Sequence, residues 1–418
     1  MCKNFTSKNI IETIYSFKIL IKWIIICFLI SVIIGSISAL FLYALEWATN
    51  IRTSISWIIW LLPIAGFLIG LFYHYYGKDV EKGNNLIIDS INGDKKNIPL
   101  KMAPMIFVST VVTHIFGGSA GREGTALQFS ASIIDYLAKI FNVSERDRNI
   151  LLISAVAGGF AGVFGTPIAG AIFALEFYLI GRINYQAIIP AFLTAFFSNE
   201  IAKLWNAPHT HYVIDSIPEF SLKYMLYAIL AGIIFGICAK LFSLLSGYSA
   251  KFFKDRISYS PLRPFIGGLL IILLVFIVNS TAYLGLGIDT IVKAFENQLS
   301  PEIFLLKIIF TIVTLSSGFK GGEVTPLFFI GATLGSALSI FVDLPTGLLA
   351  GMGFVAVFSG ATNTPIACSL MGMELFGAES SPYIFIACLI SFLFSGNTTI
   401  YKNQKIAVNK LLFKNVKT

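Results

Sequence analysis

Gly121-Arg122-Glu123-Gly124-Thr125 has a counterpart in Gly321-Gly322-Glu323-Val324-Thr325-Pro326, and the duplication continues downstream of both. Thr166-Pro167-Ile168-Ala169 and then Glu176 trail the first copy; Thr364-Pro365-Ile366-Ala367 and then Glu374 trail the second. The first glutamate precedes its Thr-Pro-Ile-Ala by 43 residues in one half and 41 in the other, and the proline-to-glutamate step is 9 in both. Two apolar segments rarely share an acidic residue, two threonines and a proline at matched distances by chance. The chain therefore reads as an internal duplication with a ligand site between its halves.

Working outward, hydrophobic residues make up 56% of the 418 and charged ones 12%, so the solvent for most of the chain is lipid. The runs Trp23 to Leu45, Ile55 to Tyr73, Tyr227 to Leu245 and Phe265 to Leu284 have spanning length. Backbone polar groups in lipid must pair internally, which makes these runs helices. Ala103 to Phe116, Ile150 to Phe164, Pro326 to Val342 and Gly347 to Phe358 read as too short or too broken to span, all of them punctuated by Gly or Pro. Interrupted segments at matching places in two halves mark a transport site; glycines that serve close helix packing are the plainer alternative. The expected fold class is an all-α membrane protein built from two repeats, with many tilted and partly discontinuous helices.

The net charge of +8 is concentrated at the ends, with Lys3, Lys8, Lys18 and Lys22 at the front and Lys402, Lys405, Lys410, Lys414 and Lys417 at the back. The positive-inside rule places both termini in the cytoplasm, in a cell membrane. These basic residues are too dispersed for a nucleic-acid patch. The five cysteines show no pairing pattern and the four histidines form no His-x-x-x-His pair, so neither a disulfide framework, a metal site nor a cofactor is expected. The expected organisation is an interfacial helix over 1–17, a first membrane repeat over 18–207, a connector over 208–220, a second repeat over 221–401 and a basic tail over 402–418.

The chemistry follows from helix ends. A half-helix that starts inside the membrane leaves several N–H groups unpaired and aimed at one spot, which attracts an anion. The turn of Gly121, Arg122 and Gly124 suits such an end, and so does the turn of Val324 and Thr325, where Pro326 near the helix start wastes no hydrogen bond. Glu123 would compete with an anion held there. It makes sense as a gate that is displaced or protonated when the ion enters, the alternative being a cap on its own helix. Arg122 is expected to pair with a nearby carboxylate or carbonyl more than to bind the ion itself.

Together these motifs resemble the CLC family of anion channels and anion/proton antiporters. Gly121-Arg122-Glu123-Gly124 is similar to the family's Gly-Arg-Glu-Gly-Pro signature, whose glutamate is the external gate, and Thr325-Pro326 to the end of its Gly-x-Phe-x-Pro signature. Tyr401 matches the late tyrosine that closes the anion site from the cytoplasmic side. The resemblance covers nearly the whole chain and implies an inverted repeat, a homodimer and one anion pathway per subunit.

The departures narrow what is implied. Chloride-moving members carry Gly-Ser-Gly-x-Pro where this chain has Gly83-Asn84-Asn85-Leu86-Ile87; Thr125 replaces a proline, and Val324 a phenylalanine. Phe177 stands where many chloride/proton exchangers have an inner proton-passing glutamate. These substitutions resemble the fluoride-exporting CLC-F branch, whose members exchange fluoride for protons. Asn84 then offers amide N–H donors to a small, strongly hydrated anion, or else satisfies helix-end carbonyls together with Asn85. Glu323 is the remaining candidate for an inner proton acceptor, its alternative being a helix-end glutamate stabilised by the dipole. The rival reading within the family is a chloride channel or chloride/proton exchanger. An intramembrane hydrolase using His114 and Ser119 lacks any Gly-x-Ser-x-Gly elbow.

Overall fold

The computed structural model describes residues 2–94, 97–408 and 410, with side chains from Phe17 onward. Among them are sixteen α-helices, eight before the irregular stretch 207–221 and eight after it. The first set is α1 (Cys2–Ser54), α2 (Leu62–Tyr76), α3 (Asn84–Ile91), α4 (Met102–Ile115), α5 (Glu123–Ile140), α6 (Glu145–Phe164), α7 (Pro167–Glu176) and α8 (Ile188–Leu204). The second is α9 (Leu222–Arg256), α10 (Leu262–Val278), α11 (Ile288–Glu296), α12 (Glu302–Ser317), α13 (Val324–Leu338), α14 (Thr346–Thr362), α15 (Pro365–Phe376) and α16 (Ser381–Phe394).

The two sets correspond helix for helix, and so does their packing. The pair α5 with α6 is repeated as α13 with α14, α6 with α8 as α14 with α16, and α1 with α8 as α9 with α16. Where a helix meets its own counterpart, the two halves are in direct contact, and this happens at α2 with α10 and at α7 with α15. The loops leading into α5 and α13 also meet. Gly121 and Gly322 exchange N–H···O bonds of 2.6 and 2.7 Å in an antiparallel bridge, so the backbones run in opposite senses where the halves cross.

Local chemistry sets the helix ends. Pro167 and Pro365 each open a helix, where the missing N–H is no loss. At roughly 1.5 Å per residue these ten- and twelve-residue helices fall short of a bilayer core. Among the described residues, five helical stretches are long and apolar enough to cross. One of them is α6, which reaches back to Glu145 through a charged first turn capped by Ser144 Oγ. The apolar run from Ile150, expected to be too short to span, is therefore only part of a longer helix.

Two further expectations change. The run Phe265 to Leu284 is not one helix: α10 stops at Val278, where Asn279 takes φ 51° and the polar Ser280-Thr281 follows. No boundary falls at residue 17 either, because α1 continues unbroken from Cys2 through the apolar run, with no Pro or Gly before Gly35 to interrupt it. The side chains expected to form an apolar interfacial face, among them Phe5 and Ile10, lie outside the residues whose side chains are described.

Packing in lipid depends on close fit, because the surrounding chains are as apolar as the protein. Gly331 on α13 and Gly353 on α14 face one another so closely that a Cβ on either would overlap the other's carbonyl. Aromatic rings join the halves, Phe164 meeting Phe328 at 4.9 Å between centroids and Phe173 stacking on Phe358 at 5.7 Å, while within the second half Phe328 stacks on Phe354 at 4.2 Å. This core holds the starts of α5 and α13 in place.

Candidate anion site

Helices α5 and α13 begin beside the Gly121–Gly322 bridge, and Glu123 is the first residue of α5. Its carboxylate is fully buried and turns away from its own helix to the start of α13. Oε2 accepts from Thr325 N at 3.1 Å and from Thr325 Oγ1 at 2.6 Å. Arg122 completes the seat, its backbone N donating to Oε2 at 3.3 Å and its Nε to Oε1 at 3.4 Å. Charge-assisted bonds from a helix-end amide and a hydroxyl are of the kind an inorganic anion receives at a helix start.

The other expected ligands divide. Gly121, read from sequence as an anion donor, spends its N–H on the Gly322 carbonyl and has none to offer. The amides of Gly124 and Val324, in the first turns of the two helices, have no acceptor among the described residues. Thr325 and Arg122 serve the Glu123 carboxylate, as the pairing expected for Arg122 requires.

A cavity of about 330 Å³ reaches toward this point from the face that carries the C-terminal segment, lined by Asn84, Gln128, Glu323, Tyr401 and Lys402 among others. Asn84 opens α3 and its amide abuts Gly124 so closely that a Cβ there would lie 3.0 Å from Nδ2. The preceding Gly83 has φ 55° and ψ −126°, a conformation that glycine alone adopts readily, and this bends α3 into the site. Asn84 Oδ1 and the Tyr401 hydroxyl are buried without a hydrogen-bond partner. The Asn84 Nδ2 donor makes no hydrogen bond to a helix-end carbonyl among the described residues, and lies against Gly124 instead. Its neighbour Asn85 is used structurally, accepting from Asn403 N at 3.0 Å.

Glu323 is the residue before α13, but its side chain makes no capping bond to that helix. It faces the cavity instead. Phe177 is buried and sets its ring edge-on to Tyr401 at 5.9 Å, so position 177 offers an aromatic wall without a carboxylate. His114 and Ser119 do not meet: the histidine nitrogens lie 2.8 and 3.1 Å from the Thr110 and Ala120 carbonyls, and Ser119 Oγ is 3.0 Å from Thr311 Oγ1.

Glu176 and Glu374 belong to the duplicated pattern, and only the fold shows what they bond. Each holds the helix of the other half. Glu176 accepts from Ile366 N and Ala367 N at 3.4 and 2.9 Å at the start of α15, and Glu374 accepts from Ile168 N and Ala169 N at 2.9 and 2.8 Å at the start of α7. Gln128, one turn beyond Gly124, is not marked by any motif, and its Nε2 donates to the Gly124 carbonyl at 3.2 Å beside Asn84. Nothing but a helical i, i+4 spacing pointed to it.

Comparison with known proteins agrees with this architecture. The family described as voltage gated chloride channel matches residues 65–396. A protein of Pseudomonas syringae pv. tomato named "Chloride/fluoride channel protein" is 48% identical over 395 residues, covering 93% of this chain and 87% of the relative. The crystal structure of a CLC-type fluoride/proton antiporter superposes with a TM-score of 0.90 at 33% identity, covering 93% of this chain and 98% of that one. A slow cyanobacterial Cl−/H+ antiporter, at 17% identity and a TM-score of 0.76 over 89% and 94% of the two chains, shares the fold.

Proposed function

The chain belongs to the voltage gated chloride channel family, and from that premise we propose that it is a fluoride/proton antiporter that exports fluoride against an inward flow of protons. One observation carries the proposal: the anion seat between the halves is filled by Glu123, a group that is itself an anion until it takes up a proton. Fluoride and the carboxylate compete for the same donors. Protonation removes the carboxylate's charge and weakens its hold on Thr325, so an incoming anion and an arriving proton both favour the same movement.

The cavity side supplies the selectivity. Fluoride is small and tightly hydrated, and it leaves water only where strong donors replace its shell. Asn84, Tyr401, Thr325 and the free amides of Gly124 and Val324 are such donors, and no serine of the chloride-moving type stands at position 84. Glu323 is the second carboxylate on the route, facing the cavity rather than its own helix, and it takes the part of inner proton acceptor that Phe177 cannot play. The similarity to a CLC-type fluoride/proton antiporter supports this reading.

The protein works as a multi-pass membrane homodimer with a complete pathway in each subunit, in the cell membrane with both termini cytoplasmic. Purified protein in liposomes tests the proposal. A fluoride gradient should drive protons in the opposite direction, and an equal chloride gradient should drive few. Fluoride movement without proton movement would make the protein a channel, and equal coupling to chloride would make it a chloride/proton exchanger.

A further inference from the structure

The turn that carries Tyr401 is fastened by one side chain that the transport cycle does not itself use. Gln404 is buried, and its amide makes four hydrogen bonds. Nε2 donates to the Phe177 and Thr362 carbonyls, both at 2.9 Å, while Oε1 accepts from Asn363 Nδ2 at 2.9 Å and from Thr399 Oγ1 at 3.0 Å. A primary amide has two N–H donors and an oxygen with two lone pairs, so this is its full capacity. The two carbonyls are helix ends, one from each half: Phe177 follows α7 and Thr362 closes α14. Such carbonyls lack a partner within the helix, which is why an amide is a fitting bolt between them.

Both backbone groups of Tyr401 are tied to Gln404. The Gln404 N–H donates to the Tyr401 carbonyl at 3.0 Å. The Tyr401 N–H donates to Thr399 Oγ1 at 3.1 Å, and that hydroxyl in turn donates to Gln404 Oε1. The adjacent residue fastens the opposite wall, with Asn403 N on Asn85 Oδ1 and Asn403 Nδ2 on Asp89 Oδ1 at 2.6 Å, both acceptors belonging to the helix that begins with Asn84. One turn thus spans two buried groups of the cavity that have no partner of their own among the described residues, Asn84 Oδ1 and the Tyr401 hydroxyl.

We propose that Gln404 is a positioning residue for the inner end of the pathway, fixing how far the Tyr401 hydroxyl stands from the Asn84 amide and hence which anion fits between them. This rests on reading Tyr401 and Asn84 as anion ligands. Donors held at one separation suit one ionic radius, and donors free to shift accept a larger, more easily dehydrated ion as well.

The test is the fluoride-to-chloride flux ratio in Gln404→Met, which keeps the length of the side chain and removes all four bonds. The ratio should fall by roughly two- to tenfold, the equivalent of one net hydrogen bond. In a Tyr401→Ala background the same substitution should change the ratio no further. Thr399→Val removes only the relay to the Tyr401 amide and should move the ratio the same way by less, and it decides the matter should Gln404→Met fail to assemble. An unchanged ratio in the assembled variant, or an added effect on top of Tyr401→Ala, would show that Gln404 only stabilises the fold. If Tyr401→Ala alone leaves ratio and coupling untouched, the reading of Tyr401 is what fails, and this proposal falls with it.

Discussion

The four duplicated glutamates form two pairs that behave differently. Glu176 and Glu374 are reciprocal, each carboxylate closing the start of the other half's Thr-Pro-Ile-Ala helix. Glu123 and Glu323 are not. Glu123 crosses to Thr325, whereas Glu323 finds no such seat in the first half and faces the cavity. The threonines differ as well. Thr325 gives both N–H and hydroxyl to Glu123, whereas Thr125 has its N–H on the Arg122 carbonyl and its hydroxyl paired with Thr110 Oγ1 at 2.8 Å. At the matching distance of 200 residues, position 310 is Phe and has no hydroxyl to occupy Thr325 in the same way. A symmetric pair holds two halves together; an asymmetric pair gives a pathway two distinguishable ends.

Substitution of each glutamate by its amide sharpens that contrast. Glu123→Gln should have the largest effect, taking fluoride-driven proton movement in liposomes to background, because the amide fills the seat but carries no exchangeable charge. Proton pumping at the original rate would remove Glu123 from the proton route. Glu323→Gln should come next, with protein that still assembles as a dimer and still moves fluoride but has lost most of its proton flux. Coupling that survives intact would leave Glu123 as the sole carrier and make the asymmetry incidental.

Asn84→Ser tests the cavity side of the same asymmetry. One hydroxyl donor replaces an amide with two, so the fluoride-to-chloride ratio should drop while proton coupling to fluoride persists. A ratio that does not move would assign selectivity to Val324 and the width of the path.

The reciprocal pair should respond through stability alone. In Glu176→Gln one amide oxygen replaces a carboxylate that serves two helix-end N–H groups, a loss of about 1–2 kcal/mol, while the number of protons per fluoride stays as it was. Glu374 is half-buried and competes with water for its bonds, so Glu374→Gln should cost less, about 0.5–1 kcal/mol, read as a shift in thermal unfolding in detergent. A changed coupling ratio in either variant would erase the division between a pair that holds and a pair that works.

Much of this was legible without coordinates, because it is carried by neighbouring residues. Composition makes lipid the solvent and hence dictates helices; glycine, proline and serine mark where helices begin; and matched spacing reveals the duplication that returns as eight helices on each side of the connector. Glu123 and Glu323 stood out as duplicated carboxylates in an apolar chain, and Asn84 and Tyr401 through the resemblance to the CLC motifs.

What only the tertiary structure decided are the partners. Glu176 and Glu374 find their donors 190 to 206 residues away, and Gln404 bolts helix ends 227 and 42 residues distant. Two stretches that share glycine, glutamate and threonine at matched positions, moreover, end in different surroundings, one threonine paired with Thr110 and the other with Glu123. Sequence records which groups are available for bonding. Which of them meet depends on the crossing of two halves, and no local pattern encodes that geometry, since helix periodicity extends over turns and these bonds close over the whole chain.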